Sequence, residues 1–131
     1  MNGDTLNCDD YGCGYILQYD PAGNLVQYLP LRNSLMFLSK IEHDYNGNLL
    51  VSGISIGNVL VNNDTVKLDT FEAFLLNISP QLEHNWGTQI HSITAPGNIR
   101  LLTSDNNGNA YVQVEEYKRP TFEVIVDTIK A

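Results

Sequence analysis

The chain has 131 residues, a length that allows one domain with a modest core and falls short of most complete barrels or propellers. Hydrophobic residues make up 43% and charged residues 17%, a composition that argues for a folded protein and against intrinsic disorder. The net charge of -8, with seven Lys and Arg, repels phosphate backbones, and no apolar run approaches the ~20 residues of a membrane helix, so neither nucleic-acid binding nor membrane insertion is expected.

Residues 1–13 are rich in Asn, Asp and Gly with no periodic apolar face, and read as an irregular leader. The start Met1-Asn2-Gly3-Asp4 lacks the positive charge and apolar core of a signal peptide. Cys8 and Cys13 lie in this stretch. A disulfide between them would close a short loop and add little through chain entropy, and two cysteines alone cannot complete a four-ligand zinc site. A local disulfide and two free thiols both stay open.

From Gly14 to Tyr19 apolar and aromatic residues resume, Asp20-Pro21-Ala22-Gly23-Asn24 supplies a proline-started turn, and Leu25 to Leu29 returns as the second strand of a hairpin. Pro30 to Ser34 reads as a connection. Met36 to His43 and Asn48 to Ile54 form a central hairpin around Asn46-Gly47, a dipeptide that accepts positive φ at both central positions of a type I′ turn. Gly57 punctuates. Val59 and Val61, then Asn62-Asn63-Asp64, then Val66 and Leu68 make a smaller hairpin that looks like an insertion between the main strands. Phe71 to Ile78 is the longest apolar run, as expected of a strand buried on both faces.

Ser79-Pro80-Gln81 turns the chain toward a strand from Leu82 to Trp86, and Ala95-Pro96-Gly97-Asn98 leads to Ile99 to Ser104. Beyond Asn107-Gly108-Asn109, Ala110, Val112 and Val114 alternate with Tyr111, Gln113 and Glu115, the period of a strand with one wet face. Lys118-Arg119-Pro120 interrupts it, because proline cannot donate to a ladder, and Thr121 to Val126 reads as a final strand. No segment offers an amphipathic helix, so the chain reads as all-β.

Two stretches recur. Asn46-Gly47-Asn48 returns as Asn107-Gly108-Asn109, an offset of 61 residues. Tyr15 to Pro21 returns as Phe74 to Pro80 at an offset of 59, and Tyr28 is matched with Trp86 at an offset of 58. Repetition at such a period points to a repeat architecture.

The succession Asp44 through Gly53, then Phe71 through Trp86, resembles the β-propeller repeats of Bacteroidetes-type secreted and surface proteins known as SBBP repeats. The resemblance implies a blade of four antiparallel strands, Met36 to His43, Asn48 to Ile54, Phe71 to Ile78 and Leu82 to Trp86. Residues 14–29 would be the outer pair of a preceding blade and 99–116 the inner pair of a following one. The second copy departs from the pattern at Gln81-Leu82-Glu83, which lacks Gly-Asn. The expected fold is therefore all-β, built of antiparallel four-stranded meanders as propeller-like blades, about two blades' worth of strands, with a β-sandwich as the alternative. Residues 14–116 form the propeller-like module, and 117–131 a C-terminal strand or linker. Val114 to Val124 is similar to a junction between macroglobulin-type sandwich domains of bacterial alpha-2-macroglobulins, without a thioester motif.

For chemistry, Asp44-Tyr45-Asn46-Gly47-Asn48 and Asp105-Asn106-Asn107-Gly108-Asn109 invite calcium, but Gly stands fourth and no Glu follows where an EF-type loop needs it. Asp and Asn in such places bond their own backbone. His43, His84 and His91 sit beside no nucleophile motif, although His84 and His91 are near enough in sequence to meet in space. The 15 acidic residues include no pair marked out for glycoside hydrolysis. Tyr15, Tyr19, Tyr28, Trp86 and Tyr111 are read as intersheet packing, with a carbohydrate or peptide platform as the alternative. Asn63-Asp64-Thr65 matches a glycosylation triplet and is read as the tip of a turn. No catalytic, cofactor-binding or metal-ligating residue is assigned, and no cofactor. The expectation is a non-catalytic structural or binding module of a larger or exported bacterial protein, extracellular or at the cell surface by the family resemblance. Its partners would be protein or carbohydrate, with homo-oligomers through open sheet edges.

Overall fold

The computed structural model describes residues 13–32, 35–69, 72–90 and 98–115, and every regular element among them is a strand. The strands are β1 (Gly14–Tyr19), β2 (Leu25–Arg32), β3 (Leu35–His43), β4 (Leu49–Ile56), β5 (Val59–Val61), β6 (Asp64–Val66), β7 (Glu72–Ile78), β8 (His84–Ile90), β9 (Asn98–Ser104) and β10 (Ala110–Glu115). They make three antiparallel sheets: β1-β2-β5-β6, β3-β4-β7-β8 and β10-β9. The leader up to residue 12, His91 and the strand expected over Thr121 to Val126 lie outside the described residues.

Each long hairpin turns in one way. The Gly47 amide donates to the Asp44 carbonyl at 3.2 Å and the Asp44 amide to the Asn48 carbonyl at 2.8 Å, closing a three-residue loop. Gly47 takes φ 86°, whereas Asn46 is not among the described residues with positive φ. The turn is thus a type I turn followed by a left-handed glycine, not the expected type I′. The side chain of Asp44 explains the choice: Oδ1 accepts the amides of Asn46 at 2.8 Å and Asn48 at 2.9 Å, which holds Asn46 in the right-handed turn. Asp20 and Asp105 repeat the arrangement, with Gly23 at φ 88° and Gly108 at φ 86°.

The fourth turn has neither Asp nor Gly and still closes. Ser79 Oγ accepts the amides of Gln81 at 3.2 Å and Glu83 at 3.1 Å, and Leu82 occupies the left-handed position at φ 59°. Leu82 therefore belongs to the turn, and the strand expected from Leu82 to Trp86 runs instead from His84 to Ile90. Leu82 is 6% exposed and joins the core, so burial holds a residue where backbone sterics favour glycine.

Two other expectations are corrected. Pro30 to Arg32 is strand, because Leu31 and Arg32 pair with Val61 and Leu60 of the inserted hairpin. The match of Tyr28 with Trp86 is out by one: Trp86 faces Asn77 and Gln27 faces Gln18, so Gln27 is the counterpart and Tyr28 points to the other face.

The repeat holds in register. The pairing irregularity at Gln18/Tyr19 recurs at Asn77/Ile78, and the residue skipped in β3, Ser39, is matched by Arg100 in β9. Hairpin β1-β2 is thus equivalent to β7-β8, and β9-β10 to β3-β4. The inner strands of the middle sheet, β4 and β7, are buried on both faces. Val51, Phe74, Leu76 and Ile78 pack against Ile16, Leu29, Leu31 and the inserted Val59, Val61 and Val66, while Leu50 and Leu75 pack against Leu102 and Val112 on the other face. Every residue of β7 is buried, as its apolar run predicts.

The inserted hairpin leaves the middle sheet after β4 and extends the first sheet beyond β2. Val66 settles over Gly87 of β8, where a Cβ would stand 2.6 Å from Val66 Cγ2. Only the missing side chain lets the two strands approach.

Candidate functional site

The register of the middle sheet puts the Asp44 and Ser79 turns at the same end, and two bonds bring neighbouring hairpins there. The Tyr45 amide donates to Ser104 Oγ at 2.8 Å, and Gln27 Nε2 to the Pro80 carbonyl at 3.1 Å. This end carries the polar residues that the sequence singled out.

Asp44 Oδ2 accepts Asn48 Nδ2 and Asn77 Nδ2, both at 3.2 Å, and Asn77 Oδ1 accepts Asn85 Nδ2 at 2.8 Å. A turn carboxylate is thereby tied to β7 and to the start of β8. Burial pushes the Asp44 carboxyl up, but the Asn48 side chain and amide, then Asn77 and the Asn46 amide, outweigh it and hold it below the usual carboxylate range. The Asn109 side chain and the Tyr111 hydroxyl, which donates to Asp105 Oδ2 at 2.8 Å, hold Asp105 at about 2. The same bond raises the Tyr111 hydroxyl. Asp20 is lowered chiefly by the Asn24 amide.

These carboxylates accept hydrogen bonds from N–H and O–H donors, all within their own hairpins except the Asn77 amide on Asp44, which is the arrangement of a turn and not of a cation cage. No group of three His, Cys, Asp or Glu suited to a metal occurs among the described residues.

His84 was missed as a structural clasp. Its amide donates to Asn62 Oδ1 at 2.8 Å and its Nδ1 lies 2.9 Å from Asp64 Oδ2, so the tip of the inserted hairpin grips the start of β8. Asn62 reaches this place in the left-handed conformation, at φ 54°. Nε2 is sealed beside Gly87, Val66 and Leu76 without a partner, so the His84–Asp64 pair presents no nitrogen to a substrate. His43 is exposed, and Asn63 lies in the β5-β6 turn as read.

The aromatics do not form the core that was expected, nor one platform. Tyr15 and Tyr28 meet edge to face at 6.5 Å on the outer face of the first sheet, where Tyr19 is 57% exposed. Trp86 shares the face of Asn77, toward the third sheet, and Tyr111 lies on the far face of that sheet, 54% exposed. Two adjoining grooves of about 350 and 370 Å³ run beside β1, between Ile16 and Leu17 on one wall and Ile41 on the other.

Cys13 is disulfide-bonded, and Cys8, the other cysteine of the sequence, lies outside the described residues. Compared with protein-family models, curated proteins and solved structures, the chain matches none.

Proposed function

We propose that the chain is a non-catalytic structural module of the propeller-like repeat type, serving a larger or exported bacterial assembly. One observation carries this reading. The middle sheet, β3-β4-β7-β8, is flanked by hairpins equivalent in register to its own two halves, one packed on each face. Such stacking is how repeat units bury faces they cannot bury alone. The polar residues at the turn end are engaged in holding hairpins, which supports a structural role for them. The bonded Cys13 supports an oxidising, exported setting.

The test is a screen of chromogenic glycosides, esters and peptides beside a glycan array. Neither turnover nor binding is expected. Turnover lost in Asp44→Asn, or glycan binding lost in Trp86→Ala, overturns the reading in favour of a hydrolase or a carbohydrate-binding domain.

A further inference from the structure

The two terminal hairpins are complementary halves of the unit whose complete form lies between them. In the middle sheet β7 pairs with β4 along one edge and β8 along the other. Its equivalent β1 pairs with β2 and stands at the end of the first sheet, with no β4 equivalent beside it among the described residues. Strand β10 is the equivalent of β4, paired with β9 as β4 is with β3, and among the described residues it ends the third sheet where a β7 equivalent belongs. The edge of β1 calls for a β4-like strand, and β10 is one.

We propose that β10 of a second copy of this chain adds antiparallel to β1, completing a sheet in the order β9-β10-β1-β2, with the reciprocal edges left to further copies. The proposal rests on the repeat reading above. The pairing of β4 with β7 sets the register. Leu49, Leu50, Val51 and Ser52 face Ile78, Asn77, Leu76 and Leu75, which translates to Ala110, Tyr111, Val112 and Gln113 of one copy facing Tyr19, Gln18, Leu17 and Ile16 of the other.

The grooves beside β1 are the space this hairpin would fill. Leu50 is buried against Leu75 and Leu102 in the complete stack. By the same offsets, Tyr111 of the second copy falls between Ile16 and Ile41, which line both grooves. Ile41 is 54% exposed in the single chain although the rest of its repeat position, Leu102, is buried. The Tyr111 hydroxyl brings its acceptor with it, since Asp105 already receives it, so the ring can be buried without leaving a polar atom unpaired. The contact joins unlike surfaces head to tail and closes into a ring when the rotation permits. Each copy supplies about two sheets' worth of strands, and rings of ~4 to 8 sheets would take about two to four copies.

The test mixes full-length Leu17→Cys with full-length Val112→Cys under mild oxidation, and reads the product on a non-reducing gel with mass mapping of the linked peptides. A link between the two variants is expected, with none when Gln113→Cys, which points to the opposite face, replaces Val112→Cys. Sedimentation of the wild-type chain should give two to four copies, and Tyr111→Ala should weaken assembly by about tenfold or more while the chain keeps its fold. A chain that stays monomeric, an assembly in which the in-register pair does not link, or a link formed inside one chain in the double variant each overturns the proposal. Those failures leave the turnover and glycan tests of the module unaffected.

Discussion

At the scale of single residues, the most informative position is Leu82. A leucine in the left-handed region costs about 1–2 kcal/mol, while removing its buried side chain forfeits about 2–5 kcal/mol. Burial wins, so Leu82→Gly is expected to destabilise the chain by about 2 kcal/mol in urea unfolding, although glycine is the residue the other three turns use. Acid should separate the turns in the same way. Asp20, Asp44 and Asp105 titrate below their unfolded values, so as pH falls the unfolded chain takes up protons first, and their contribution, complete above about pH 4, is lost as pH falls through each folded value, which for Asp105 lies at about 2. The amides of Asn24, Asn48 and Asn109 are therefore expected to lose hydrogen-exchange protection across that window. Glu83, whose amide bonds a serine hydroxyl, should keep its protection, and equal loss at all four would show that the carboxylates do not hold the turns. Sequence chemistry made the turns legible because Asp, Gly and Asn act within five residues. It misjudged the turn type because Asn46 alone tolerates positive φ, and the decisive bond comes from Asp44 two residues back.

At the scale of elements, the inserted hairpin is held by shape at one end and by polar contacts at the other. Gly87→Ala would drive Val66 from β8 and is expected to cost about 1–3 kcal/mol, with Val66→Ala in the same chain recovering part of the loss. Additive losses in that double-mutant cycle would mean that β6 does not rest on Gly87. Strand β7 was legible because both its faces are apolar. The extension of β2 through Pro30 was not, because its partner β5 is some 30 residues away and nothing local marks the pairing. The aromatics were misassigned for a related reason: a tyrosine suits a dry face and a half-wet one equally, and only the stacking of the sheets decides which it meets.

At the scale of the whole molecule, the sheets form a sequence of layers, and the inner strands of the middle one are dry on both sides. Amides of β4 and β7, each flanked by two strands and covered on both faces, are expected to exchange slowest, and β3 faster, since its outer side is an edge. Slowest exchange in β1-β2 would mean that the first sheet, not the middle one, is the stable nucleus. Because every copy carries the same net charge of -8, added salt should favour assembly by screening their repulsion, read as a rise in sedimentation coefficient. The repeat offsets made the pairing of halves legible, whereas the site remained closed to sequence reasoning because its residues serve packing. The return of β5-β6 to the first sheet also sets an order of events during synthesis. Hairpin β1-β2 leaves the ribosome early, yet the strand that finishes its sheet emerges only with Val59 to Val66, after β3 and β4 have been made. This sheet is therefore begun before β3 and β4, interrupted by them and completed before β7 is made, so a nascent chain halted before Val59 would hold two hairpins waiting for a third.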